Sequence, residues 1–155
     1  MEPFEIRKSG GTGRGLFATR FIKKDEHILE FTGPVTDFKQ SIQKAPEKQS
    51  YPLQIGALAY IDLQEPGVLA NHSCSPNAGI RHDKFLMALA DILPDQEILY
   101  DYSTTMDEDY WTLECTCGNQ NCRGVVKDFK CLAPDLQRHY LRLGIVQNFI
   151  AQQVL

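Results

Sequence analysis

The chain has 155 residues, 43% of them apolar, which is the size and composition of one compact domain with its own core. Its formal net charge is −4, from 16 Lys and Arg against 20 Asp and Glu, so it lacks the basic surplus of a nucleic-acid-binding protein and suits a basic partner. No apolar run approaches the roughly 18 residues that cross a bilayer, and the N-terminus has no apolar segment typical of a signal peptide. We therefore expect an intracellular protein without membrane association or direct nucleic-acid binding, cytoplasmic in a microbe and nuclear in a eukaryote.

The first two thirds of the chain are predicted to form short strands. Residues 4–7 alternate in polarity, and a glycine-rich turn at residues 10–15 leads into short apolar groups that end at Gly33-Pro34. The polar residues 36–50 fit either a short helix or an exposed insertion. Further strands are predicted at residues 51–55, 57–63, 85–90 and 97–102. Many short strands and few helices predict a mainly β fold of the α+β class.

The C-terminal tail has a helical pattern instead. Ala133-Pro134-Asp135 is typical of a helix start, with proline early in the first turn and an acidic residue at the positive end of the helix dipole. Apolar residues recur at helical spacing from Leu136, are interrupted at Gly144, and resume as far as Val154. The apolar stripe indicates packing against the core or, alternatively, a partner-binding or self-association surface; the oligomeric state stays open.

The glycine string at Gly11, Gly13 and Gly15 admits several interpretations. A dinucleotide-binding fingerprint requires a third glycine where this chain has Leu16, and a phosphate-binding loop requires a lysine there. Residues 16–31 also lack the helical stripe that follows the glycines of a Rossmann-like methyltransferase. By itself, the string is most typical of a tight hairpin.

Two clusters of ligand-capable residues follow. Residues 71–77 (NHSCSPN) contain two asparagines and a proline, which predict an irregular loop of the kind that carries function. Residues 115–122 supply three thiols within eight positions, which favours a structural zinc site over a disulfide framework in a chain with five cysteines. Spacing alone leaves either Cys74 or Cys131 as the fourth ligand.

Taken together, four ordered motifs resemble the SET-domain protein-lysine methyltransferases that carry a post-SET zinc segment. The motifs are GTGRGLFATRFIKKDEHILEFTG (11–33), NHSCSPN (71–77), EILYDY (97–102) and CTCGNQNCRG (115–124). The resemblance covers roughly residues 5–126. It implies a SET domain over residues 1–112, a post-SET zinc segment over 113–126 and a C-terminal helical extension over 127–155. It also implies short curved sheets and a knot-like crossing that brings the second and third motifs together.

The resemblance implies specific roles for residues of this chain. They are contacts to S-adenosylmethionine from Gly13, Arg14, Gly15, Tyr51, Asn71 and His72; a catalytic role for Tyr102; a lysine channel formed by Phe31 and Tyr100; and zinc ligation by Cys74, Cys115, Cys117 and Cys122. Cys131 is then left as a free, buried thiol. Taken without the resemblance, His72 would be an ordinary loop histidine, and Tyr100 and Tyr102 would be core residues of a half-buried strand. Trp111 and Phe129 flank the cysteine cluster, and packing is favoured over stacking on adenine for both.

The chemistry of methyl transfer to an amine supports an aromatic channel. The reaction is an in-line displacement, so the enzyme must align nitrogen, methyl and sulfur and admit the lysine as a neutral amine. A lysine side chain in water has a pKa of about 10.4 and is mostly protonated at pH 7, so forming the free amine costs roughly 4 to 5 kcal/mol. An apolar, aromatic channel disfavours the ammonium form. We therefore predict a protein-lysine methyltransferase that acts on a basic protein, such as a histone or a histone-like protein.

Several positions depart from the family pattern. The family usually has tyrosine at the position of Phe31, glutamate at that of Pro34, and a bulky pair where this chain has Leu69-Ala70. These departures leave two other hypotheses open. One is a catalytically idle SET-like zinc-containing module that binds a partner as a scaffold, and the other is an enzyme that methylates a small amine. Tyr100 occupies a position at which tyrosine commonly accompanies monomethylation in the family, whereas Phe31 points in the other direction, so mono- or dimethylation is predicted.

Overall fold

A computed structural model describes residues 1–11, 13–43 and 52–154 of the chain. The strands in these ranges are, in chain order, β1 (Phe4–Ser9), β2 (Gly13–Ala18), β3 (His27–Glu30), β4 (Val35–Asp37), β5 (Pro52–Gly56), β6 (Ala59–Asp62), β7 (Asn71–His72), β8 (Ala78–Arg81), β9 (Phe85–Ala88), β10 (Leu99–Tyr100), β11 (Leu113–Glu114) and β12 (Val125–Val126). The α-helices are α1 (Phe38–Ile42), α2 (Pro134–Leu143) and α3 (Asn148–Val154). The prediction of a mainly β fold with few helices is confirmed.

The strands form small antiparallel sheets and one parallel pair. β1 and β2 make a hairpin, β3, β9 and β8 lie side by side in that order, and β4, β6 and β5 form another sheet of three. β11 and β12 pair antiparallel, whereas β7 and β10 pair parallel. The hairpin agrees with the interpretation of the glycine string as a tight turn. Residues 71–77 differ from the predicted irregular loop, because their first two residues extend far enough to pair with β10.

An apolar cluster holds the sheets together. It includes Leu16, Ile22, Ile80, Ile92 and Ile98, each with no exposed surface. Leu16 points inward from β2 because its strand neighbours alternate in direction, and an isolated bridge joins Ile22 to Ile92. This burial fixes the strands that carry the second and third motifs.

The tail packs through an apolar cluster of its own. α2 begins at Pro134, its first turn contains Asp135, and Gly144 ends it with φ of 69°, a conformation that glycine adopts without strain. Tyr140, Ile145 and Ile150 are buried in this cluster. The cluster meets the sheet of β3, β9 and β8 at Gly79, where an added Cβ would lie 2.6 Å from a methyl carbon of Ile145. The tail stripe is therefore largely a packing face, as expected, while self-association stays a prediction.

The polar segment at residues 36–50 and Cys131 are the subjects of two further predictions. Residues 38–42 of the polar segment form the short helix α1, and residues 44–50 lie outside the described ranges. The prediction of a buried Cys131 is wrong, because this residue is exposed. It ends the turn Phe129–Cys131, in which Phe129 and the following Leu132 point into the tail cluster and leave Cys131 on the outside. None of the helices in the described ranges is long and apolar enough to cross a bilayer.

Candidate active site

The parallel pairing of β7 with β10 creates the centre of the site. Asn71 lies opposite Leu99 and His72 opposite Tyr100, and the Ser73 amide donates to the Tyr100 carbonyl over 3.1 Å. Asn77 closes the same junction, because its side chain donates to the Glu97 carbonyl at 2.8 Å and accepts from the Leu99 amide at 2.9 Å. The second and third motifs therefore lie side by side, as predicted.

An open cleft of about 710 Å³ lies beside this junction. Its walls are formed by Ser9, Gly10 and Gly11 from the glycine turn, by residues 71–73, by Glu97 and Tyr102, and by residues 113–117 with Asn119. Added Cβ atoms at Gly10 and Gly11 would meet nothing within 4 Å, so this turn presents open backbone to the cleft. A ligand can thus approach main-chain groups closely on this side.

Gly13, Arg14 and Gly15 adjoin this cleft through Asn71. The Asn71 amide group donates to the Arg14 carbonyl at 3.0 Å and to Glu97 Oε1 at 2.9 Å. An added Cβ at Gly15 would lie 2.2 Å from that Glu97 oxygen, so the contact requires glycine. The Arg14 side chain pairs with Glu65. The predicted cofactor contacts of these three residues stay a prediction, and Tyr51 lies outside the described residues.

His72 joins the cleft to the cysteine cluster. Its Nδ1 accepts from the Tyr102 amide at 3.1 Å, and its Nε2 lies 3.3 Å from Cys74 Sγ. Burial lowers the pKa of His72 to about 4. The imidazole is therefore neutral near pH 7, and acceptance at Nδ1 leaves the proton on Nε2, directed at the thiol. His72 thus positions both Tyr102 and Cys74.

A narrow pocket of about 40 Å³ lies on the other side of Tyr102. Its aromatic wall consists of Tyr60, Tyr100, Tyr102, Tyr110 and Trp111. The Tyr102 ring centre lies 4.8 Å from that of Tyr100 and 6.4 Å from that of Trp111. Tyr102 therefore belongs to both cavities, and it is the residue at which their contents would meet.

The Tyr102 hydroxyl has a fixed orientation. It donates to the Ala70 carbonyl at 2.8 Å. Burial raises its pKa well above the usual value, so the hydroxyl keeps its proton at neutral pH. With its proton committed to the carbonyl, the oxygen can accept a hydrogen bond and cannot serve as a base.

Phe31 reaches the pocket only through Tyr100. Phe31 is 1% exposed, and its ring packs edge-on against that of Tyr100 with centres 5.7 Å apart. An added Cβ at Gly67 would lie 2.8 Å from the Phe31 ring, which shows how closely this residue is enclosed. The structure thus places Phe31 one layer behind the pocket wall, where it supports Tyr100.

The sequence interpretation missed other pocket residues. Trp111, expected to pack, lies on the wall, and Glu108 and Gln54 belong to the polar part of the lining. Phe129 is buried in the tail cluster, as expected. The sequence feature that could have indicated these pocket residues is the run 107–111, in which three acidic residues are followed by tyrosine and tryptophan.

Four cysteines converge beside the cleft. The Sγ atoms of Cys74, Cys115, Cys117 and Cys122 all lie within 4.8 Å of one another, and those of Cys74 and Cys115 are 3.8 Å apart. A tetrahedral zinc with Zn–S bonds of about 2.3 Å separates its sulfurs by about 3.8 Å, so the cluster fits this metal. Cys131 is exposed and is not part of the cluster. The geometry therefore favours Cys74 over Cys131 as the fourth ligand.

A buried carboxylate links the cysteine segment and the tail to the third motif. Asp101 is fully buried, and Arg123 donates to its two oxygens at 2.8 and 2.7 Å. The Tyr140 hydroxyl from α2 donates to Asp101 at 2.8 Å, and the Ser103 amide does so at 3.0 Å. Because Asp101 precedes Tyr102, these contacts fix the backbone of the residue shared by the two cavities.

Comparisons with known proteins agree with this geometry. The SET-domain family model matches residues 13–103. The chain is 32% identical over 142 residues to the Variant-silencing SET domain-containing protein of Plasmodium falciparum (isolate 3D7), covering 79% of this chain and 6% of that protein. It is 33% identical over 140 residues to Histone-lysine N-methyltransferase ASHH1 of Arabidopsis thaliana, covering 77% of this chain and 27% of that protein. The chain therefore spans only a small part of these relatives.

Solved structures show the same fold. The methyltransferase domain of human Histone-lysine N-methyltransferase SETMAR aligns with a TM-score of 0.65 at 24% identity, covering 81% of this chain and 58% of that chain. KRYPTONITE, solved in complex with mCHH DNA, an H3(1-15) peptide and SAH, aligns with a TM-score of 0.63 at 23% identity. The alignment covers 80% of this chain and 29% of that chain. These likenesses show that the chain has the fold of SET-domain methyltransferases.

Proposed function

Because the chain belongs to the SET-domain family, we propose that it is an S-adenosylmethionine-dependent protein-lysine N-methyltransferase. The observation that carries this proposal is the position of Tyr102, which lines both the open cleft and the narrow aromatic pocket. A donor held in the cleft and an amine held in the pocket would meet at this one side chain. Transfer between two ligands requires such a junction of two cavities.

The open cleft suits S-adenosylmethionine. Gly10 and Gly11 offer open backbone, and Asn71 and Glu97 add an amide and a carboxylate that could complement the donor's amino-acid group. When bound there, the donor supplies an electrophilic methyl group on a positively charged sulfur. Residues 113–117 on the opposite wall of the cleft would shield it from water.

The aromatic pocket suits a neutral lysine amine. Tyr100 is 5% exposed, and its ring and those of Tyr102 and Trp111 form an environment that disfavours the ammonium ion. Tyr102 keeps its proton and donates it to the Ala70 carbonyl, so its oxygen would accept an amine N–H and orient the nitrogen lone pair. The lysine proton would leave to water, because the raised pKa of Tyr102 excludes this side chain as the base.

The cysteine cluster suits a structural zinc ion. Cys74 comes two residues after His72, and the other three thiols lie on the opposite wall of the cleft. When bound, zinc would join these two parts of the chain. We propose a SET domain over residues 1–112, a zinc segment over 113–126 and a helical extension over 127–155.

The proposed substrate is a lysine-rich protein of the histone class. Several relatives are named histone-lysine N-methyltransferases, and the net charge of −4 favours a basic partner. A histone substrate would place the protein in the nucleus.

A direct test is transfer of a radiolabelled methyl group from S-adenosylmethionine to histones by the zinc-loaded full chain. Tyr102→Phe should lower the rate about 100-fold, because the oriented hydroxyl is lost. Leu93→Ala, at an exposed position outside both cavities, should change the rate less than about 2-fold. Full activity of Tyr102→Phe would contradict the role of this residue. Absence of S-adenosylmethionine binding in calorimetry would favour the idle scaffold instead.

A further inference from the structure

We propose that Glu108 and Tyr60 form a cation-binding subsite in the aromatic pocket, which selects a substrate with an arginine close to the target lysine. The inference rests on the proposed lysine methyltransferase function and specifies its substrate class. Both residues line the same narrow pocket as Tyr100 and Tyr102. The cation would be a second side chain of the substrate, distinct from the lysine that receives the methyl group.

The Glu108 carboxylate is held in place inside the pocket. Tyr60, 3% exposed, donates its hydroxyl to Glu108 Oε2 at 2.5 Å. The Glu108 backbone is also fixed, because its amide donates to Asp128 Oδ2 at 3.1 Å. Glu108 itself is half-buried. One oxygen of the Glu108 carboxylate is therefore held by the buried Tyr60, and the carboxylate lines the pocket in a fixed orientation.

The charge of Glu108 is balanced differently from that of its two acidic neighbours. Lys130 lies 3.4 Å from Asp107 and 2.8 Å from Asp109. Among the described residues, Glu108 has no cationic side chain within ion-pair distance. Burial, and to a smaller extent the Asp128 carboxylate, raise the pKa of Glu108. A cation beside the carboxylate would favour its charged form and thereby lower this pKa again, so the subsite favours a positively charged ligand.

Tyr60, which holds Glu108, belongs to a different set of ring contacts from Tyr102. Phe38 lies between Tyr60 and Tyr110, with ring centres 6.4 and 5.5 Å away, and Tyr110 is 52% exposed. Tyr102 instead contacts Tyr100 and Trp111. The lysine amine would occupy the group around Tyr102. The group around Tyr60 is left for a neighbouring side chain of the substrate.

Arginine suits this subsite better than lysine. A guanidinium is planar, so it can stack on Tyr or Phe rings while it donates to a carboxylate, whereas an ammonium is a compact and strongly hydrated charge. The Glu108 carboxylate, bonded to Tyr60 in a pocket that Tyr110 also lines, offers both interactions. The expected substrate segment therefore contains one arginine within a few residues of the lysine.

The test uses synthetic peptides that contain one lysine and one arginine, with the arginine moved through the three positions on either side. Each peptide has a partner in which glutamine replaces arginine. For the wild-type chain, one arginine position should lower KM about 10-fold relative to its glutamine partner. In Glu108→Gln, which can still accept the Tyr60 hydrogen bond, this ratio should fall to about one. Asp109→Asn, exposed and outside the pocket wall, should retain the wild-type ratio.

Calorimetric binding of the same peptides separates this inference from the proposed function. A loss of arginine-dependent binding in Glu108→Gln supports the subsite, whether or not any peptide is methylated. Absence of methylation of every peptide and histone would overturn the proposed activity alone. Methylation with equal KM for arginine and glutamine peptides at every position would overturn the subsite and leave the activity standing. Unchanged melting of Glu108→Gln excludes a folding defect as the cause of any difference.

Discussion

The two walls of the open cleft are built in different ways. The wall formed by the glycine turn, β7 and β10 lies next to the apolar cluster, in which Leu16 and Ile98 have no exposed surface. The opposite wall, residues 113–126, contains mostly exposed and half-buried residues, and Val126 supplies its buried apolar side chain. Polar contacts attach it to the loop after β7: Asn119 donates to Ser73 at 3.1 Å and Asn121 to the Cys74 carbonyl at 3.0 Å.

This difference separates folding from assembly of the site. Apolar burial is sufficient to form the first wall, since it accounts for most of the stability of any domain. Two strands of two residues each, a few hydrogen bonds and the Arg123–Asp101 ion pair hold the second wall less strongly than apolar burial holds the first. The four thiols add a further link between the walls, so metal binding should strongly affect whether the cleft is closed on this side.

Loss of the metal ligand should have the largest effect. Cys74→Ser removes one thiol from the cluster, and structural zinc sites contribute about 10 to 16 kcal/mol of apparent binding free energy. The variant should lose zinc and methyl transfer, and amides of residues 113–126 should exchange rapidly while those of β8 and β9 stay protected. Metal analysis and hydrogen exchange measure both. Cys131→Ser, at an exposed position, should keep zinc and activity, and equal zinc content in wild type and Cys74→Ser would refute this assignment.

A substitution in the apolar cluster should lower the stability of the fold and leave zinc binding unchanged. Ile98→Ala opens a cavity next to β10 and should lower the free energy of unfolding by about 3 kcal/mol, measured by urea denaturation. Zinc content of the folded protein should not change, because the thiols are not part of this cluster. Leu93→Ala, 53% exposed, is the matched control and should shift stability by less than about 0.5 kcal/mol. Loss of zinc from folded Ile98→Ala would show that the two walls are not independent.

The smallest effect is expected where the tail meets the third motif. Tyr140→Phe removes one hydrogen bond to Asp101 and should cost about 1 kcal/mol of unfolding free energy, with Arg123 and Ser103 still satisfying the carboxylate. Arg138→Ala, on the exposed face of α2, should cost less than about 0.5 kcal/mol. A loss above 3 kcal/mol in Tyr140→Phe would place the tail among the elements that fold the first wall.

Local sequence pattern predicted most of the elements that carry the site. Pro134 and Gly144 bound α2 because their backbone preferences act within one turn. Alternation located β1, and short apolar segments between turns located β5, β6 and β9. β8 was missed because Gly79 weakens the strand signal, although the contact with Ile145 accounts for a glycine there. Motif order, together with the resemblance it carries, brought Cys74, His72 and Tyr102 into one candidate site.

Contacts between distant residues were not predictable in the same way. Asp101 meets Arg123 and Tyr140 across 22 and 39 positions, and no periodicity connects such separations. Glu108 belongs to an acidic run that is typical of a solvated loop, so its position in the pocket depends on Tyr60, 48 residues earlier. Exposure of Cys131 likewise follows from which side of a short turn faces the tail cluster.

The contacts of Asp101 also set an order of events during synthesis. Its carboxylate is buried, yet the donors that satisfy it come from residues 123 and 140, which leave the ribosome later. Until residue 123 has emerged, a nascent chain can form the sheets but holds a buried carboxylate next to Tyr102 without its cationic partner, a costly arrangement. The active site is therefore completed after the sheets have been synthesised, and a chain that stops before residue 123 would carry the first three family motifs without their finished geometry.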